Sequence, residues 1–443
     1  MDKIEEFIGS YSFDKRLAPY DIIGSIAHVR MLVHSGIIQS TEGSKIVKAL
    51  ESILSDIKKG KKISEGEDVH YVIEKELIKR VGVLGGKMHT ARSRNDQIAL
   101  DMRLYLKDEA EKLIGLIEDV QKAILEQAET NIKFVMPGYT HLQPAQPVLF
   151  AHYILSYGWM LERDKARIND CLQRINVLPL GSAALAGTSF PIDRQYTAKL
   201  LGFKEVSENS IDSVSDRDFV IEFVSALSLI AVHLSRLSEE LVIFSSAEFD
   251  FLELSDKYTS GSSIMPQKRN PDSAEVVRGK SGRVFGDLIA LLVMMKGLPL
   301  AYNRDMQEDK PPLFDAVDTV KMNLEIIAGI VKTLKIKPEQ MKISNEKGFL
   351  GATELADYLA KAGVPFRQAH EIVRQIVSFC VKEGKTLRDL AVEEFKSFSK
   401  YFNANIYDKI LPKKVVSEKI SYGGTSKNSV LLQISKLKKL VKK

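Results

Sequence analysis

Four short polar stretches combine residue types suited to chemistry on an anionic substrate. The first, His89-Thr90-Ala91-Arg92-Ser93-Arg94-Asn95-Asp96-Gln97, contains a single apolar residue and precedes a helical pattern. Arginines and an amide at a helix N-terminus suit a carboxylate, because free N–H groups and the helix dipole already favour negative charge there. The plain alternative is a capped helix start with surface arginines. The second, Pro137-Gly138-Tyr139-Thr140-His141-Leu142-Gln143-Pro144-Ala145-Gln146-Pro147, is stiffened by its prolines. A stiff loop would hold Thr140 and His141 in defined places, and such a histidine is a candidate general acid or base. A hydrogen-bonded structural histidine is the competing reading. The third, Gly261-Ser262-Ser263-Ile264-Met265-Pro266-Gln267-Lys268-Arg269-Asn270-Pro271-Asp272, runs from small flexible residues into cations and an amide. That order suits a mobile lid over an anion; an ordinary interhelical turn would explain the glycine and prolines but not Lys268-Arg269-Asn270. The fourth, Tyr302 to Lys310, is almost wholly polar and by itself reads equally well as a solvated loop.

Other chemistries lack their signatures. Gly86-Lys87 has Val81 and Met88 where a phosphate loop needs Gly and Ser or Thr. The eight histidines include no His-Glu-x-x-His pair, and no Cys-x-x-Cys occurs, so a dedicated zinc site is not expected. There is no Gly-x-Ser-x-Gly elbow. The net charge of +5 is too small to call for nucleic acid. The basic tail from Lys436 to Lys443 has no aromatic residue to stack on a base, and it and the weaker patch Lys58 to Lys62 read as solvated.

The elements that must position these stretches follow from proline placement. No proline occurs from 20 to 136, 148 to 178, 192 to 265 or 272 to 298, and proline ends helices. Within these intervals Val220, Phe223, Leu227, Ile230, Leu234, Leu237, Leu241 and Phe244 recur at spacings of three and four. The same rhythm runs through Leu106 to Ile124 and Val317 to Leu334. Five long helices are therefore expected between about 95 and 336, with the polar stretches at their ends. A helix over 213–247 would be roughly 50 Å long and apolar on several faces. Other subunits would best cover it, which predicts a homo-oligomer. A largely helical N-terminal part (1–92) and C-terminal part (346–443) flank this central bundle (93–345). The composition, 44% hydrophobic and 27% charged over 443 residues, fits a folded soluble protein. Two cysteines, Cys171 and Cys380, point to a reducing compartment. The N-terminus lacks a signal pattern, and the run Leu288–Met295 is too short to span a bilayer; a cytoplasmic location is the expectation.

The third stretch matches the Gly-Ser-x-x-Met-x-x-Lys-x-Asn signature of the fumarase/aspartase superfamily at every fixed position. Within that superfamily the first two stretches, Gln307-Glu308-Asp309-Lys310, Leu185 to Asp193 and Gly351 to Asp357 resemble the argininosuccinate lyases, so the resemblance runs from about Ser10 to Gly424. It implies a mainly α, three-domain fold whose central five-helix bundle forms a twenty-helix core in a tetramer, with active sites shared by three subunits. It implies reversible cleavage of argininosuccinate to arginine and fumarate, in arginine biosynthesis, with no metal or organic cofactor. By position, Ser262 is then the base, with Ser263 the second choice. His141 is the acid, Glu275 orients it, and Lys268 with Asn270 stabilises the carbanion. Ser10, Asn95, Thr140, Asn270, Tyr302, Gln307 and Lys310 fall on substrate-binding positions, with Arg92 and Arg94 as neighbours. Arg269 and Lys427 depart from the common pattern; adenylosuccinate lyases often share that arginine. A lyase of adenylosuccinate or aspartase type and a non-catalytic crystallin-like relative are the alternatives.

Overall fold

The computed structural model describes residues 3–61, 63–346 and 348–441; Lys62 of the weaker basic patch and Lys442 and Lys443 of the tail lie outside them. The chain is mainly helical, as expected, and its strands are short two-stranded pairs. Five long helices form among the described residues: Arg94–Thr130, Phe150–Ile175, Asp218–Ser245 and Asp272–Met295 within proline-free intervals, and Lys310–Thr333 with Pro311 and Pro312 in its first turn, where proline is tolerated. The stripe Val220 to Phe244 is buried at all eight positions, so the three-four spacing does mark the packed face.

Contacts divide the chain into two compact units, and each long helix has residues in both. The first unit comprises Met1–Gly115, Asp164–Ala231 and Lys280–Lys321. In it the helices Ala18–His34, Ser40–Lys58 and Val69–Val81 pack on one another, Lys321 binds Glu109, Arg174 binds Glu222 and Arg283 binds Asp315. The second comprises Leu116–Arg163, Val232–Gly279 and Met322–Lys443. There Gln127 donates to the carbonyls of Val331 and Leu334, Gln121 to Glu162 and the Gly158 carbonyl, Tyr157 to Glu240, and Arg278 to Glu239. The second unit also holds a separate small core of Leu355, Leu359, Ile376, Phe395 and Phe402 from the C-terminal helices. Its last helix, Lys427–Val441, buries Val430, Ile434 and Leu437, and Lys438 reaches Glu129.

One expectation changes in its bounds. The long central rod is Asp218–Ser245, with a separate short helix Ser210–Ser215 before it. By length and composition alone it could cross a membrane, unlike the shorter run considered above, but more than half of its most apolar window is buried inside the chain. Its flanking Phe219, Val224 and Ala231 are buried too. Val232, Val242 and Ile243 on that helix are only half-buried and Leu229 is exposed, and a further apolar face lies on Asp272–Met295, where Phe285, Ile289, Leu292 and Val293 are exposed.

Candidate active site

The second unit contains Thr140, His141, Ser262, Lys268, Asn270 and Glu275. The proline-rich stretch is a β-hairpin, Val135–Thr140 against Gln143–Leu149, where a rigid loop was expected. Pro137 faces Pro147. An opposed pair can occupy a non-hydrogen-bonded position, so two missing N–H groups need not break the ladder. His141 and Leu142 form the two-residue turn with φ of 55° and 57°, the left-handed pair that matches hairpin twist. His141 is thereby held at an exposed tip.

Ser262 follows the strand Ser260–Gly261, which pairs with Arg269–Asn270 and pinches the base of its loop. The Ser262 hydroxyl oxygen accepts the N–H groups of Met265 (3.1 Å) and Ile264 (3.3 Å). Two donors on that oxygen favour its alkoxide, the form a serine base needs. Lys268 is exposed on the same loop, and the Asn270 amide reaches the Ser260 hydroxyl at 3.4 Å. Glu275 lies in the first turn of Asp272–Met295, exposed and 3.8 Å from Arg278. Among the described residues no hydrogen bond or ion pair joins His141 to Glu275, Ser262 or Lys268: His141 is carried by the hairpin, Ser262 and Lys268 by one loop, and Glu275 by the helix after it. Below the loop, Tyr258 packs on Gly329 so closely that a Cβ there would lie 1.9 Å from the phenol oxygen.

The first unit contains Ser10, Asn95, Tyr302, Gln307 and Lys310. Ser10 is buried; its hydroxyl donates to Asp14 at 2.6 Å and its N–H to the Glu67 carbonyl at 2.7 Å. Arg304 binds Glu67 and the Ile8 carbonyl, and Arg94 binds Asp68, the residue that caps Val69–Val81. Tyr302 precedes the short helix Arg304–Asp309, which carries the half-buried Gln307. Burial, then the charge of Asp309, pushes the Tyr302 phenol up. Lys310 is buried and donates to Asp309 at 2.8 Å, while Arg217 Nε donates to the other oxygen of that carboxylate at 2.5 Å. Burial would raise the Asp309 carboxyl, but Lys310 and Arg217 outweigh it and hold it below the ordinary range.

The nine-residue polar stretch divides in the structure. Arg92, Asp96 and Gln97 turn inward, while Asn95 stays accessible and donates to the Ala184 carbonyl at 2.9 Å. Arg92 reaches the Ser25 hydroxyl, and Gln97 reaches Asp21, which with His70 and Asp101 forms a fully buried cluster. Their ligand atoms lie within 4.8 Å of one another, a donor set of the kind that holds a cation. The Arg92 guanidinium already supplies positive charge to both carboxylates, so the cluster carries no argument for an ion. Burial and then the neighbouring Asp21 push the Asp101 carboxyl well above the ordinary carboxylate range. Asp21, His70, Asp101 and Arg217 escaped the sequence reading, because their partners lie far away along the chain.

Comparison with known proteins defines the class first. A family model described as Lyase matches residues 2–286, and one described as Argininosuccinate lyase C-terminal matches 349–417. An argininosuccinate lyase of Syntrophotalea carbinolica is 53% identical over 98% of this chain and 94% of its own length. One of Syntrophus aciditrophicus is 54% identical over 98% and 92%. Among solved structures, EDDS lyase in complex with formate superposes with TM-score 0.87 at 28% identity, over 97% of this chain and 87% of that one. An EDDS lyase variant with bound fumarate gives 0.86, also at 28% identity over 97% and 87%. The chain belongs to the argininosuccinate lyase family.

Proposed function

We propose that the chain cleaves argininosuccinate reversibly into arginine and fumarate by β-elimination. The observation that carries this is identity of 53–54% with argininosuccinate lyases along nearly the whole chain. Fumarate bound to an EDDS lyase variant of the same fold supports the product class.

In this reading Ser262 removes the proton from the carbon next to a succinyl carboxylate. The electron pair moves into that carboxylate as an aci-carboxylate, with Lys268 and Asn270 facing the accumulating charge. Fixed cations and amide donors at such a point are worth several kcal/mol in the transition state, on the order of 3 to 4 for one donor. The pair then returns to form the carbon–carbon double bond as the C–N bond breaks. His141 delivers a proton to the departing guanidino nitrogen, and Glu275 orients the imidazole. Ser10, Asn95, Thr140, Asn270, Tyr302, Gln307 and Lys310 bind the substrate; Lys310, paired with Asp309, acts chiefly through its charge. Every step is carried by side chains of the chain, with no cofactor assigned a role.

That His141 makes no hydrogen bond or ion pair with Ser262 or Glu275 among the described residues supports a site completed by other copies of the chain. The exposed Phe285, Ile289, Leu292 and Val293 face supports the same assembly, a homotetramer built on the long helices. The division into domains 1–92, 93–345 and 346–443, a cytoplasmic location and a place in arginine biosynthesis belong to this reading. Purified protein given argininosuccinate should release arginine and fumarate in equal amounts, followed by amino-acid analysis and fumarate absorbance. Fumarate from adenylosuccinate or aspartate, and none from argininosuccinate, would overturn it.

A further inference from the structure

The segment after the short strand Val177–Leu178 takes a costly path. Gly181, Ala183 and Gly187 all have positive φ, at 99°, 53° and 75°, and Ala183 does so with a Cβ. Two side chains of opposite charge hold this path from both polarities. The buried carboxylate of Asp96 accepts the N–H groups of Gly181 (2.9 Å) and Ala183 (2.8 Å) on one oxygen and that of Ser93 (3.0 Å) on the other. The Arg194 guanidinium donates to the carbonyls of Leu180 (3.0 Å), Leu178 (3.2 Å) and Ser207 (3.0 Å) and to the Ser207 hydroxyl (2.7 Å). An anion thus binds the segment's donors and a cation its acceptors. What the clamp presents is the Ala184 carbonyl, which receives the amide N–H of Asn95, the residue beside Asp96.

We propose that Asp96 and Arg194 are positioning residues: by clamping 178–187 they fix the Ala184 carbonyl, and through it the amide of Asn95, as a substrate contact. With one N–H spent on Ala184, the second N–H and the carbonyl oxygen of Asn95 point in fixed directions. The substrate then meets an amide whose rotamer is already chosen, and the ordering cost is not incurred on binding. The proposal rests on the lyase reading for the role of Asn95, but not for the clamp itself.

Asp96→Asn tests it, because it keeps the shape but turns an amide donor toward backbone donors or forfeits half the acceptor capacity. Hydrogen bonds to a charged group are worth enough that KM for argininosuccinate should rise about tenfold or more, with kcat within about threefold. Since Asp96 acts through Asn95, adding Asp96→Asn to Asn95→Ala should raise KM no further. Amide hydrogen exchange at Gly181 and Ala183 should accelerate in Asp96→Asn and in Arg194→Lys, measured on the assembled protein without substrate. If Asp96→Asn fails to fold, Arg194→Lys carries the same KM and exchange tests. An unchanged KM, a fully additive double variant, or unchanged exchange at 181 and 183 would overturn the proposal. A wild-type protein inactive on argininosuccinate but with the expected exchange changes would overturn the lyase reading and the Asn95 role while leaving the clamp.

Discussion

Replacing Asp309 by Asn should destabilise the protein more than replacing either of its cationic partners. The carboxylate is fully buried and receives Arg217 Nε at 2.5 Å and Lys310 Nζ at 2.8 Å, from side chains that are 0% and 3% exposed. Two cations share one anion, so the three variants leave different remainders. Asp309→Asn leaves two buried cations without the carboxylate they share. Arg217→Met leaves Lys310 paired with Asp309, and Lys310→Met leaves Arg217 paired. Breaking a buried pair by removing one partner costs about 3–5 kcal/mol, mostly from the charge left behind. The Met variants lose charge-assisted bonds worth about 1.5–3 kcal/mol but keep a neutral pair. Urea unfolding followed by circular dichroism, at one fixed protein concentration because association adds to apparent stability, would measure all three. Asp309→Asn within about 1 kcal/mol of wild type, or costing less than Arg217→Met, would refute the reasoning. Because the folded carboxyl lies below its ordinary value of 3.8, the trio's contribution is present above that value and fades only as pH falls below it.

Ser262→Ala should lower turnover at least about a hundredfold without changing the oligomer seen by size-exclusion chromatography; near-normal turnover would reject Ser262 as the base. Mixing that variant with His141→Ala under subunit exchange should restore part of the activity, and verified hybrids that stay inactive would count against a shared site. Gly329→Ala should destabilise by about 1–3 kcal/mol despite the better helix propensity of alanine, because its Cβ would sit 1.9 Å from the buried Tyr258 oxygen. Adding Tyr258→Phe should recover part of the loss in melting temperature, and no loss in the single variant would show that the ring moves freely. Burial, then Arg92, lowers the His28 imidazole from 6.5 to about 3, so its contribution is complete above 6.5 and lost as pH falls toward 3. His28→Gln should flatten the acid limb of stability by at most about 1.4 kcal/mol per pH unit; an identical limb would refute the assignment.

The helices were legible because periodicity is local. The stripe Val220 to Phe244 locates Asp218–Ser245, the intervals 148–178 and 272–298 locate Phe150–Ile175 and Asp272–Met295, and the stripes Leu106 to Ile124 and Val317 to Leu334 mark Arg94–Thr130 and Lys310–Thr333. What stayed hidden depends on distance along the chain. Arg217 and Asp309 are 92 residues apart, and Asp96 and Gly181 are 85 apart, so neither spacing nor pattern links them. The hairpin at 135–149 was hidden for a different reason: its turn residues, His141 and Leu142, lack the glycine or asparagine that usually marks positive φ. Histidine tolerates that conformation better than most residues, whereas Leu142 takes it with a bulky apolar side chain.

The candidate site makes physical sense as a division of labour between rods and their tips. Long helices fix the separation of their ends but bury most side chains along their length, so groups that must meet a substrate are confined to the ends. Thr140 and His141 project from a hairpin feeding Phe150–Ile175, Ser262 and Lys268 from a loop feeding Asp272–Met295, and Asn95 from the first turn of Arg94–Thr130. Each tip is stiffened by its own device: opposed prolines, a two-residue ladder, and the Asp96 carboxylate. Each of these groups takes its precision from the element that carries it rather than from direct bonds to the others. That arrangement is consistent with His141 having no bond to Ser262 or Glu275 among the described residues.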